Sequence, residues 1–112
     1  MMDRGDASQL MRLPNTLIGG GTVFVGGLLG GAEATTDWVT VSLHSLSVIA
    51  FMGCWNIFND IMDIDVDRNN CPNRPLPAGR VSIDEARSFA TALLTLSVIG
   101  LLGAAGWVSY NE

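Results

Sequence analysis

The segment that decides the fold starts as a run of about 20 mostly apolar residues and ends in a row of acids: residues 38–68 read WVTVSLHSLSVIAFMGCWNIFNDIMDIDVDR. The apolar part is long enough to cross the ~30 Å hydrocarbon core of a bilayer as a helix. Four aspartates follow, all between positions 60 and 67. The segment therefore predicts a membrane helix whose end presents carboxylates at the aqueous interface.

Two further blocks, residues 13–32 and 88–108, are also apolar and nearly free of charge. Each is close to the ~20 residues that a transmembrane helix needs. The first block is rich in glycine, which in a bilayer allows neighbouring helices to approach closely. The sequence predicts an all-α integral membrane fold, with three transmembrane helices over residues 13–112 and a short polar segment, residues 1–12, before them.

The distribution of charge indicates which end faces the cytoplasm. The chain has a net charge of −5 and no lysine, which excludes a nucleic-acid-binding surface. All six arginines lie in the amino-terminal segment or around the acidic region: Arg4, Arg12, Arg68, Arg74, Arg80 and Arg87. The positive-inside rule predicts that residues 1–12 and an aspartate-rich loop, residues 59–81, face the cytoplasm from the cytoplasmic membrane.

Local signals define where this loop gives way to the third helix. Three prolines, Pro72, Pro75 and Pro77, prevent residues 63–80 from being helical throughout. Ser82 and Glu85 then form a Ser-x-x-Glu capping box, which predicts a helix start at Ser82.

The spacing of the acids predicts a ligand face. If the helix continues through the acidic stretch, Asn59, Asp63 and Asp67 lie four residues apart and Asp60 falls within the same ~100° arc. Asp65 points roughly the other way. Amide and carboxylate oxygens are hard ligands that suit Mg²⁺, which binds one or two carboxylates together with phosphate oxygens. The four residues on the arc are therefore candidate magnesium ligands.

Two other interpretations of the acids are weaker. Acids that simply end a solvated helix do not explain the arginine-rich segment that follows, since carboxylates beside cations suit an anion held through a metal. A calcium EF-hand loop starting at Asp63 needs Gly at its sixth position and Glu at its twelfth, where this chain has Arg68 and Arg74.

The motifs, read together, resemble a known family. They are Asn59-Asp60-x-x-Asp63-x-x-x-Asp67-Arg68, then Asn73-Arg74-Pro75-Leu76-Pro77-Ala78-Gly79-Arg80, with Arg12-x-x-Asn15 at the start of the first helix. This pattern resembles the first signature of the UbiA superfamily of intramembrane prenyltransferases.

The resemblance implies a set of site residues. It makes Asp60, Asp63 and Asp67 the catalytic acids, which together with Asn59 would bind Mg²⁺. It also assigns diphosphate binding to Asn15, Asn59, Arg68 and Arg74. The substrates would be a polyprenyl diphosphate and a lipid or aromatic acceptor.

Further expectations concern the whole enzyme. The loop spacing is most similar to the branches that make archaeal ether lipids and chlorophyll, which favours geranylgeranyl transfer to a glycerol-phosphate ether lipid. Family members have about nine transmembrane helices and a second aspartate-rich motif, so the resemblance implies an amino-terminal part that needs the remaining helices and is inactive alone. The alternative is a non-catalytic three-helix membrane protein that binds divalent cations or a partner helix bundle.

Overall fold

The computed structural model describes residues 2–112, and every regular element in that range is a helix. The helices are α1 Arg4–Met11, α2 Leu13–Leu29, α3 Thr35–Met62, α4 Ile64–Asn70 and α5 Ile83–Asn111. The α3 helix is central, since it packs against α1, α2 and α5. The result is an elongated bundle of 52 × 23 × 21 Å.

Two of the three predicted spans form helices of membrane length. The α3 and α5 helices have 28 and 29 residues and are apolar enough to cross a bilayer. Their outward faces are apolar, as lipid contact requires; Leu102, for example, is 67% exposed. The α2 helix has only 17 residues. It stops before the predicted boundary because Gly30 caps it and Gly31 turns the chain with φ at 90°.

Small and hydroxyl side chains hold the long helices together. Ser47 and Ser97 each donate a hydrogen bond to the other's backbone carbonyl, at 3.0 Å, across the α3–α5 interface. On the other side of α3, Ser45 donates to the carbonyl of Gly20 at 2.9 Å. These bonds satisfy polar groups that would be costly if left unpaired in hydrocarbon.

Gly100 is expected to be intolerant of a side chain, because an added Cβ would collide with Ser47 Oγ and lie 3.4 Å from the carbonyl oxygen of Leu43. We expect Gly100→Leu to destabilise the chain by about 1–3 kcal/mol through overpacking of α3 against α5. Gly103→Leu is the matched control, since a Cβ there meets nothing within 4 Å. Thermal unfolding in detergent measures both, and equal melting temperatures would contradict this packing.

A cap of polar chain covers the acidic end of the bundle. The α1 helix and the irregular segment 71–82 pack their apolar side chains onto α3 and α5, burying Leu10, Leu76 and Val81. The predicted capping box is present: Ser82 Oγ accepts from the Glu85 amide at 3.0 Å, and Glu85 Oε1 accepts from the Ser82 amide at 3.3 Å. The end of the bundle that carries the aspartates is thus covered by packed chain.

Candidate functional site

The acidic stretch is helical as far as Asn70, with one irregular residue at Asp63, which ends α3 with φ −95° and ψ 10°. The helical hydrogen bonding nevertheless runs through it. The amide of Asp63 donates to the carbonyl of Asn59 at 2.9 Å, and the amide of Asp67 donates to the carbonyl of Asp63 at 2.8 Å. Asn59, Asp63 and Asp67 therefore lie on consecutive turns, as their spacing predicts.

Asp60 lies at the centre of a charged cluster. It is 3% exposed. Its Oδ1 accepts a hydrogen bond from Arg12 Nη2 at 2.9 Å and lies 3.8 Å from Arg74 Nη1. Two arginines from separate parts of the chain thus converge on one buried carboxylate, which offsets part of the cost of removing its charge from water.

Arg74 joins two of the predicted site acids. Its Nη1 donates to Oδ2 of Asp67 at 3.0 Å as well as approaching Asp60. Asp67 is 6% exposed. The hydrogen bond to Asp67 raises the pKa of the Arg74 guanidinium, so this residue is a permanent cation. Asp60, Asp67, Arg12 and Arg74 are called the ion cluster below.

Arg12 occupies an unusual position between α1 and α2. Its backbone is left-handed, with φ 55° and ψ 57°, a region that non-glycine residues rarely adopt. Asn56 supports this break: its Nδ2 donates to the carbonyl of Met11 at 2.7 Å. A helix end leaves carbonyls without intrahelical partners, and the Asn56 amide supplies one. The turn that presents Arg12 to Asp60 is therefore fixed from α3.

Sequence reasoning assigned no role to Arg12 or Asn56. A signal for Asn56 was present, because it lies one helical turn before Asp60 and extends the polar face of the helix toward its amino terminus. The pairing of Arg12 with Asp60 has no local signal, since 48 positions separate the two residues.

The other predicted site residues lie outside the ion cluster. Asn59 and Asp63 are exposed, as is Asn15 in the first turn of α2. Arg68 pairs with Asp65 at 2.7 Å. The Asp65 side chain is 85% exposed.

Arg80, the second arginine of the irregular segment 71–82, joins that segment to α1. Its Nε donates to Asp6 at 2.9 Å, and its Nη2 donates to Gln9 at 3.1 Å. Its Nη1 donates to the carbonyl of Asn73 at 3.1 Å, next to Arg74 in the chain. The position of Arg74 therefore depends in part on the docking of α1.

The contact between Arg80 and Asp6 makes the stability of the fold depend on pH. The hydrogen bond from Arg80 holds the pKa of the Asp6 carboxyl below its ordinary value. A carboxylate with a lowered pKa stabilises the fold above its unfolded pKa of about 3.9, and this contribution is lost as the pH falls toward the folded pKa. We expect wild type to melt above Asp6→Asn at pH 7, with a difference that shrinks below about pH 4.

Asp65→Asn is the control for this measurement, because its ion pair with Arg68 is solvent-exposed and worth little. A difference in melting temperature between wild type and Asp6→Asn that stays constant from pH 7 to pH 3 would show that the charge of Asp6 does not contribute to stability.

The donor set bears on whether a metal could bind. Among residues 2–112, no three acidic, histidine or cysteine side chains are grouped closely enough to hold a metal by themselves. Mg²⁺ commonly takes one or two carboxylates and completes its shell with water and substrate phosphates. The carboxylate of Asp63 and the amide oxygen of Asn59, one turn apart and open to solvent, fit that requirement.

The fold and this site define a helical membrane protein with a cluster of carboxylates and arginines at the end of a membrane-length helix. The chain belongs to the UbiA prenyltransferase family, whose model matches residues 20–110. Membership, together with the two long apolar helices, indicates an integral membrane protein and implies transferase activity in the family.

Individual relatives bear a more specific name. The chain is 36% identical over 95 residues to the digeranylgeranylglyceryl phosphate synthase of Methanocaldococcus jannaschii. It is 34% identical over 97 residues to the enzyme of that name from Sulfurisphaera tokodaii. Each match covers 81% of this chain and 32% of the relative, so the chain spans about a third of the length of these relatives. No solved structure matches it.

Proposed function

We propose that this chain is the amino-terminal part of an intramembrane prenyltransferase that transfers an isoprenoid chain from a polyprenyl diphosphate to an acceptor. The observation that carries the proposal is the row of acids at the end of a membrane-length helix. Asn59 and Asp63 lie there one turn apart and open to solvent. Arg12 and Arg74 pair with the neighbouring Asp60 and Asp67. Carboxylates next to arginines suit an anionic substrate that is held partly through a cation.

The substrate class follows from the relatives. Their name, digeranylgeranylglyceryl phosphate synthase, favours a geranylgeranyl donor and a glycerol-phosphate ether lipid as acceptor. Both molecules have long apolar chains and an anionic head. The apolar faces of α3 and α5 would contact the chains, while the polar end of the bundle would bind the head groups.

Each site residue then has a role. Members of the family generally use Mg²⁺; Asn59 and Asp63, which are open to solvent, would hold it here. When bound, Mg²⁺ would supply positive charge that stabilises the departing diphosphate. Arg74, a permanent cation, would donate hydrogen bonds to diphosphate oxygens, and Asn15 would face the same space. Arg68 would join this set, since its ion pair with Asp65 is solvent-exposed and weak.

The apolar surroundings of the site would also keep water away from the reacting carbon. Transfer proceeds through an allylic cation that water would quench. Close packing of α3 on α5 and the buried side chains of Leu10 and Ile57 would exclude water from the inner side of the site. The head groups can therefore be bound at the interface while the reacting carbon stays in an apolar environment.

We also propose three transmembrane helices, with the amino terminus and the aspartate region in the cytoplasm. At ~1.5 Å per residue, the 17 residues of α2 reach about 26 Å, so this span would need a thin or locally deformed bilayer. Cys71 follows α4 and is partly exposed. We expect an impermeant maleimide to label Cys71 only after cells are opened. Labelling of Cys71 in intact cells would contradict this orientation and place the aspartate region outside the cytoplasm.

The experiment that tests the function is a transfer assay on membranes that contain the full-length protein. Radiolabelled geranylgeranyl diphosphate and geranylgeranylglyceryl phosphate are supplied with Mg²⁺ or with EDTA. Extractable ether-lipid product that forms only with Mg²⁺ supports the proposal. Membranes that bind Mg²⁺ but make no product with lipid or aromatic acceptors would favour the non-catalytic alternative.

A further inference from the structure

Asp60 differs from the neighbouring acid Asp63 in what surrounds it. It is buried and has Arg12 at 2.9 Å and Arg74 at 3.8 Å, whereas Asp63 is exposed to solvent. The two residues are separated by less than one helical turn but have different surroundings. One carboxylate is already compensated by cations and the other remains open to a ligand.

We infer that Asp60 is a positioning residue, which orients Arg12 toward the diphosphate beside an Arg74 that is held by Asp67. The metal is bound on the adjacent face that carries Asn59 and Asp63. The inference rests on the proposed function and divides its acidic cluster into two tasks. It gives Asp60 a different role from the metal ligand that the sequence pattern suggests.

The geometry of the arginines supports this division. A guanidinium has five N–H donors in a planar fork, so a single carboxylate oxygen engages only part of it. The side chain of Arg12 is still 38% exposed while it donates to Asp60, and that of Arg74 is 41% exposed while it donates to Asp67. Each arginine is thus held at one edge by a buried anion and keeps donors directed to solvent, where a second anion can bind.

The backbone around Arg12 supports it as well. The left-handed conformation of Arg12 persists only if its surroundings hold it there. Two side chains of α3 do so, one turn apart: Asn56 binds the carbonyl of Met11, and Asp60 binds the Arg12 guanidinium. This arrangement fixes the arginine before any ligand arrives.

The test has two parts. The first is thermal unfolding without metal for Asp60→Asn, Arg12→Gln and the double variant, all in residues 1–112 in detergent. We expect each single variant to melt about 5–10 °C below wild type and the double variant to melt no lower than the worse single variant, because the buried pair is lost only once. Additive losses would show that Asp60 does not act through Arg12.

The second part separates metal binding from anion binding. Mn²⁺ affinity is measured by paramagnetic resonance, and labelled inorganic pyrophosphate affinity by equilibrium dialysis with excess Mg²⁺. We expect Asp63→Asn to weaken Mn²⁺ binding about tenfold or more. For Asp60→Asn we expect less than about threefold loss of Mn²⁺ affinity and about tenfold loss of pyrophosphate affinity.

Asp65→Asn is the matched control, and both affinities should stay at wild-type values. Equal losses of Mn²⁺ affinity in Asp60→Asn and Asp63→Asn would overturn the inference and make Asp60 a metal ligand. Absence of Mn²⁺ binding by wild type would instead overturn the metal site of the proposed function, and the unfolding cycle would still report whether Asp60 holds Arg12.

Discussion

Asp63→Ala in the full-length enzyme proposed above is expected to lower prenyl transfer by about a thousandfold, whereas Asp65→Ala is expected to lower it less than threefold. Asp63 lies between Asn59 and Asp67 on consecutive helical turns and is open to solvent. Loss of a metal that stabilises the leaving diphosphate removes several kcal/mol, and each 1.36 kcal/mol is a factor of ten in rate. Asp65 has only an exposed ion pair with Arg68, which contributes little.

The comparison is made in one radiolabelled transfer assay with both variants at matched protein levels. The two residues are the same type and only two positions apart, so differences in overall charge cancel. Equal losses in the two variants would mean that the helical register through Asp63 does not determine which acids bind the ligand.

The second large effect concerns residues 1–112 alone, which we expect to transfer no prenyl group at a detectable rate. The chain spans about a third of its relatives' length, and under the proposed function the rest of the substrate cavity would lie on the remaining helices of the full-length enzyme. One acidic cluster can bind one cation, and the diphosphate carries more charge than one cation offsets. Losing a second source of positive charge costs several kcal/mol of transition-state stabilisation.

The measurement uses the purified chain in detergent with geranylgeranyl diphosphate, Mg²⁺ and geranylgeranylglyceryl phosphate. Product above the protein-free control, abolished by Asp63→Ala, would contradict this expectation and would indicate that copies of the chain combine to complete a site.

Periodicity and capping predicted the parts of the fold that depend on local chemistry. The capping box at Ser82 is present. Asn59, Asp63 and Asp67 lie on consecutive turns, but Asp67 is buried whereas the other two are exposed. The segment predicted as an aspartate-rich loop, residues 59–81, proved helical through Asn70, because the prolines that break the helix begin only at Pro72. Local signals fixed these elements since each depends on residues within a few turns.

The ion cluster could not be predicted in the same way. Arg12 and Asp60 are 48 positions apart, and Arg80 reaches Asp6 across 74. Such pairs depend on how α1 folds back over the bundle, which periodicity does not encode. The resemblance placed Arg68 and Arg74 near the acids and gave Arg12 no role; only the packed helices show that Arg12 reaches Asp60.

The central claim, that this acidic row binds a diphosphate through Mg²⁺, is tested most directly by binding of radiolabelled geranylgeranyl diphosphate to residues 1–112 in detergent. We predict binding that requires Mg²⁺, is abolished by EDTA, is lost in Asp63→Ala and persists in Asp65→Ala. Binding of equal strength with EDTA, or equal loss in both variants, would contradict the claim.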